Sequence, residues 1–261
     1  MPSIYAHYRF GEQLLPHMPG DVRGAISRNR DLFDAGLQGP DFLFYYKPGT
    51  KTDVGSLASR IHHMTGREYF TQVCATLSGI SGEEELSYLY GLLAHYCLDA
   101  ACHRLIREQA QDSALLHNRI ESEFERYLMA MDGIKKPHCW PRSQYLKLPK
   151  DRCGLVARFY EPATASQIRE GIGGMRHMIS LMTCHNPVHR AAAKAVLLGL
   201  GKEKTGLLIP TEPDLTCTGM NAPLLEAFEE ALGRYPSLLE QLRDHLNLRE
   251  ELGEAFFSAF G

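Results

Sequence analysis

Several familiar signatures are missing from this chain of 261 residues. Tryptophan occurs once, at Trp140. Cysteine occurs seven times, an odd number without a C-x-x-C pair, which excludes a disulfide framework or a thiolate metal knuckle as the organising principle. No apolar run approaches the roughly eighteen residues of a membrane span. Met1–Gly20 has no basic start followed by a long apolar stretch, so no secretory leader is expected and the chain reads as cytoplasmic with reduced thiols. Neither sign of charge dominates: 28 Lys and Arg against 31 Asp and Glu give a formal net charge of −3. That balance gives no global electrostatic reason for a stable nucleic-acid partner. Internal repeats, low-complexity runs and long linkers are also absent, so one domain over residues 1–261 is expected.

What is present is histidine, twelve in all. The informative stretch is L-A-H-Y-C-L-D-A-A-C-H from Leu93, followed after thirteen residues by H-N-R-I-E. His95, Asp99 and His103 stand at successive i, i+4 steps, as do His117 and Glu121. Each such step advances about 40° around a helix, so each set shares one stripe. The neighbours Tyr88, Leu89, Leu92, Leu93, Cys97 and Leu98 are apolar or aromatic. Ionisable groups on such a helix need partners if buried, and a metal ion supplies them at once. Imidazole and carboxylate without thiolate favour zinc or another first-row divalent ion.

The rest of the pattern is helical. Glu83–Arg107 and Ala114–Met131 read as the two donor-bearing helices, and the short break between them implies an antiparallel pair. A short helix is expected to end near Pro16, a second over Val22–Phe33 with Asn29 and Arg30 exposed, and a third over Ser56–Phe70. Further helices are expected over Ala163–Met182, Val188–Leu200, Ala222–Leu232 and Ser237–Phe257. Lys135–Pro149, with three prolines, reads as a loop. Val156–Tyr160 and Leu207–Ile209 fit short strands or helix ends equally. Gly171, Gly173 and Gly174 lack the context of a phosphate loop and suit a kink or a helix contact. His185 and His189, astride Pro187, suit a helix start. Asp41 could cap the aromatic run Phe42–Tyr46 or serve a site. His7, taken alone, suits a packed histidine.

Taken together, H-Y-R-F-G near the start, G-P-D with aromatics after it, R-I-H-H-M-T-G, H-Y-C-L-D-A-A-C-H and H-N-R-I-E resemble the zinc-dependent phospholipase C family. The wider superfamily includes single-strand-specific nucleases of the P1 type. The likeness covers roughly residues 1–130. It implies a compact all-α fold with two or three zinc ions in a cleft. Carried over by position, Asp41, His62 or its neighbour His63, His95 and Asp99 would hold the first zinc, with His62 preferred. His103, His117 and Glu121 would hold the second. Asp99 would bridge to a third, which His7 would help to bind. Secreted members open on a tryptophan that also ligates the third zinc; here no tryptophan precedes Trp140, so two metals are the base expectation.

The implied chemistry is hydrolysis of a phosphodiester by a zinc-activated water, with Asp41 as both ligand and base. Arg9 and Lys47 are candidate phosphate contacts. A phospholipid headgroup is the leading substrate, and a nucleic acid or nucleotide the alternative. Outside enzymes, a structural metal site in a non-catalytic helical protein, or a metal-free scaffold of packed histidines, would use the same residues.

Overall fold

The structure, a computed structural model, describes residues 4–77, 82–248 and 250–260. It is all α. Among the described residues the only strand-like pairing is an isolated bridge between Thr65 and Ala259. The helices are α1 (Ile4–Leu14), α2 (Gly20–Arg28), α3 (Arg30–Gly36), α4 (Asp53–His63), α5 (Gly66–Leu77), α6 (Glu83–Ala110) and α7 (Ala114–Met131), then α8 (Cys153–Ala157), α9 (Ala165–Met182), α10 (Pro187–Leu200) and α11 (Asn221–Leu248). Short 3-10 turns fill much of the connecting chain, including Gly39–Tyr45 and Lys202–Leu207. No helix of the described residues is long and apolar enough to cross a membrane.

Helix α6 is the axis. Every residue from Ser87 to Asp99 is buried, because other helices cover it on all sides. Three glutamates, Glu83 to Glu85, occupy its first turn, where carboxylates suit the positive end of the helix dipole. Helix α3 crosses it in backbone contact: a β-carbon on Gly36 would lie 2.3 Å from the Tyr88 carbonyl oxygen, and one on Gly91 would lie 2.2 Å from that of Phe33. On another side α11 packs along it, with the Tyr235 hydroxyl donating to the Tyr90 carbonyl at 3.0 Å. The chain then turns within three residues, Gln111 and Asp112 taking left-handed φ of 46° and 64°. Ser113 caps α7 by accepting from the Leu116 amide. One continuous cluster of buried apolar side chains runs from Ile4 to Phe260.

Four expectations about helix limits are corrected. Val22–Phe33 is two helices, broken at Asn29 (φ −133°, ψ 46°). Asn29 is buried rather than exposed, and its carbonyl accepts from Ser87 Oγ of α6 at 2.9 Å. Ser56–Phe70 is also two helices, parted at Met64 and Thr65. There the backbone pairs with the returning end of the chain through Gly66 N to Ser258 O and Phe260 N to Met64 O, each 3.0 Å. Conversely, the expected break before Ser237 is absent, and α11 runs through Pro236. A proline inside a helix removes one hydrogen bond, but Phe228 and Ala231 before it, and Leu238, Leu239 and Leu242 after it, are all buried. Packing outweighs the local loss. The helix then stops at Leu248 instead of reaching Phe257. Val156–Tyr160 and Leu207–Ile209 prove to be the ends of helical turns. Gly171 and Gly174 are helix contacts, standing against the carbonyls of Phe42 and Tyr45, while Gly173 faces open space.

Candidate metal centre

Five segments deliver the eight sequence-predicted donors. Helix α1 presents His7 and α4 presents His62. Helix α6 carries His95, Asp99 and His103 on one stripe, and α7 carries His117 and Glu121. Asp41 comes from the 3-10 segment Gly39–Tyr45, whose N-cap position is held by Gln38. Gly39 takes φ +48°, and a β-carbon there would lie 2.3 Å from the His95 ring. The tight turn therefore lays the Asp41 segment directly over His95.

The donors fall into three sets whose ligand atoms lie within 4.8 Å of one another: Asp41, His62 and His95; His7, His95 and Asp99; His103, His117 and Glu121. Between them, His62 Nε2 is 3.0 Å from Asp41 Oδ1. His95 Nε2 is 3.2 Å from Asp99 Oδ2, and His7 Nε2 is 3.2 Å from Asp99 Oδ1. Glu121 Oε1 is 3.2 Å from His103 Nε2 and 3.1 Å from His117 Nε2. Two ligands each about 2.0–2.1 Å from one tetrahedral ion stand about 3.3 Å apart. The observed separations, 3.0–3.2 Å, lie just below that value. Of the adjacent pair, His62 faces Asp41, whereas His63 is exposed.

Two rings have their orientation fixed from behind. His62 Nδ1 lies 2.8 Å from the Ala58 carbonyl, and His95 Nδ1 lies 3.2 Å from that of Leu37. A carbonyl can only accept, so each Nδ1 carries its proton and turns Nε2 toward the carboxylates. That is the outer-shell support metal-binding histidines use. Buried atoms are left over: His7 Nδ1, His95 Nε2, Asp99 Oδ2, His103 Nδ1 and Glu121 Oε2 have no hydrogen-bond partner. Of these, His95 Nε2 at 3.2 Å and His103 Nδ1 at 3.7 Å face Asp99 Oδ2, an arrangement that is costly without a shared cation. A cavity of about 20 Å³ lies among His7, Asp99, His103 and Glu121, room for one small particle. The donor set fits a zinc-type ion in charge, atom type and spacing.

The electrostatics agree. Burial alone would raise the Asp99 carboxyl, yet His103, His95 and His7 hold it well below the usual range. Glu121 is depressed in the same way against burial by His103 and His117, and Asp41 is also lowered against burial, with the His62 hydrogen bond and the His95 ring among the causes. His103 is raised: burial opposes its charge, but Asp99 and Glu121 more than compensate. His7 is lowered by burial and by the neighbouring His95, on which it stacks at 4.4 Å between centroids.

Neither basic candidate points at these donors. Arg9 is held by Asp132 at 2.8 Å and lies over the Phe228 ring. Lys47 is exposed with its ammonium over Tyr46. A group beyond the sequence expectations is Glu125, one turn past Glu121. It is buried, accepts from the Tyr5 amide at 2.5 Å, and pairs with the equally buried Arg142. It thereby ties down the start of α1, two residues before His7. The i, i+4 series His117, Glu121, Glu125 was a usable signal for it. A groove of about 1040 Å³ between the end of α1 and α11 contains none of the donors.

A comparison with protein families matches the model described as zinc dependent phospholipase C to residues 6–160. The match spans all eight donors. The comparisons with curated proteins and with solved structures returned no match. With more than half of its length matched, the chain belongs to the zinc-dependent phospholipase C family.

Proposed function

We propose that this protein hydrolyses the phosphodiester bond of a phospholipid headgroup, in the manner of a phospholipase C, with two or three zinc ions held by His7, Asp41, His62, His95, Asp99, His103, His117 and Glu121. The observation that carries the reading is the set of buried, mutually facing imidazole and carboxylate atoms left without hydrogen-bond partners. Bound zinc would supply Lewis acidity toward the phosphoryl oxygens and a lowered pKa for a shared water.

The chain's own residues do the rest. The His62 and His95 rings, fixed by the Ala58 and Leu37 carbonyls, set the direction of their donor atoms. Asp41, ionised across the physiological range, is the carboxylate of the first set and there orients a water and takes its proton. His117 is the most open donor, its side chain 21% exposed, so the approach of a substrate is assigned to that side. We also propose one domain over residues 1–261 and a cytoplasmic setting. In favour of the latter, all seven cysteines are free thiols, as a reducing compartment keeps them.

The test is metal content by elemental analysis on protein without a histidine tag, followed by phosphate-ester assays. Two or three zinc ions per chain are expected, with fewer in His95→Ala and in His117→Ala. Release of a phosphorylated headgroup from phosphatidylcholine should accompany them. Asp41→Asn should lower kcat about 100-fold or more, while zinc at the His103, His117 and Glu121 set is retained. A chain that takes up no metal even when zinc is supplied would overturn the reading.

A further inference from the structure

Helix α10 is inside out. A helix on the surface of a globular protein buries its apolar stripe and exposes its polar one. In α10 only Ala193 and Leu197 are buried. Val188, Val196 and Leu198 are 79%, 47% and 57% exposed, and Ala191, Ala192, Ala195 and Gly199 between them are exposed too. At about 100° per residue these seven positions form one arc of roughly 160°, centred on Val188, Ala195 and Gly199. His189 borders it on one side and Lys194 on the other. No carboxylate lies on the helix. From His185 to Lys204 the chain carries Arg190, Lys194, Lys202 and Lys204 against Glu203 alone, a basic segment in a chain of net charge −3.

Its position links it to the metal donors. The turn Lys202–Leu207 that follows α10 is fastened to the stretch of α7 bearing His117 and Glu121. Asn118 Nδ2 donates to Glu203 O at 2.9 Å and Ser122 Oγ to Gly206 O at 2.8 Å. At the end of α10, Leu200 lies within 3.0 Å of where a β-carbon on Gly49 would stand, on the loop following the Asp41 segment. Helix α10 thus adjoins the stretch of α7 that bears His117, the most open of the donors.

We propose that α10 is a membrane-docking helix. Val188, Val196 and Leu198 enter the headgroup region of an anionic lipid surface, while Lys194 and Lys202 meet its phosphates. An outward apolar arc rimmed by cations is the arrangement of helices that lie in the membrane interface. A second copy of the chain fits less well, since a two-fold pairing of this face would set its own lysines against one another. Docking of this kind holds the cleft at the bilayer, where a phospholipid can be lifted the short distance to the donors. The inference rests on the phospholipid reading of the site.

The test is co-sedimentation of the full chain with phosphatidylcholine vesicles, with and without phosphatidylserine. It is run in the cold beside hydrolysis of bis(4-nitrophenyl) phosphate, a soluble diester that needs no membrane. Wild-type protein should partition onto vesicles, more strongly when phosphatidylserine is present. Leu198→Glu and Val188→Glu, both at exposed positions, should each lower the partition coefficient about tenfold or more while leaving soluble-diester hydrolysis unchanged. Absence of vesicle binding by the wild type, or equal binding by the variants, overturns the proposal. So does a wild-type dimer in solution that Leu198→Glu dissociates without any change in vesicle binding. Vesicle binding without cleavage of any diester would instead retain the docking helix and reject the hydrolase.

Discussion

At the residue scale the arrangement makes a statement about protons. Asp41, Asp99 and Glu121 are already ionised, being held below the usual carboxylate range, and His7 is held neutral. The raised group is His103. Zinc uptake should therefore displace the proton held by His103, and His103→Gln should lower the proton release on zinc binding. Calorimetric titration of zinc in buffers of differing ionisation enthalpy measures it. For stability the sign of the carboxylate contribution is fixed by the same shifts. A depressed folded pKa gives stability that is fully present above the unfolded value of about 4 and is lost as pH falls through the folded one. Urea midpoints of the metal-free chain should accordingly drop on acidification below about pH 4, less steeply in Glu121→Gln. His95, Asp99 and His103, like His117 and Glu121, were legible as shared stripes because helical spacing converts directly into shared direction, whereas His7, Asp41 and His62 were named only through the family likeness. Arg9 and Lys47 were not legible, because adjacency in sequence says nothing of where a long side chain finds its partner: Arg9 finds Asp132.

At the scale of elements, the crossing of α3 on α6 is the narrowest point. Neither Gly36 nor Gly91 has room for a methyl group, since each faces a backbone oxygen that cannot rotate away. Gly91→Ala should destabilise the protein by about 1–3 kcal/mol, read as a lower urea midpoint at unchanged slope. Because Gly91 stands one turn before His95, the same variant should bind zinc more weakly. That the chain is built of helices followed from apolar periodicity, though their number did not; the starts of α9 and α10 lie within two residues of where the pattern put them, and Thr164 and Asn186 cap them there. The limits that escaped the sequence are those decided elsewhere. Asn29 breaks a helix where Ser87 takes its carbonyl, Met64 breaks another where Phe260 does, and Pro236 fails to break one because α6 lies beneath it.

At the scale of the whole molecule, metal and fold are one equilibrium. Free zinc at a hundred times its dissociation constant adds about 2.7 kcal/mol to the folded state, about 5–10 °C of melting temperature at this size. Removing it with a chelator should take that increment away, as differential scanning fluorimetry would show. What residues 161–260 contribute was hidden from the sequence, since none of the donors lies there. Part of the answer is Phe260. It is fully buried, with its ring 5.0 Å from Tyr96, 6.0 Å from His95 and 6.5 Å from His62. The wall behind the first donors is thus supplied by the last residue described. During synthesis the final donor, Glu121, precedes that wall by about 140 residues, or roughly 7–28 s at about 5–20 residues per second. A nascent chain holds every ligand long before it holds the site, so a firmly seated metal is the mark of a finished one.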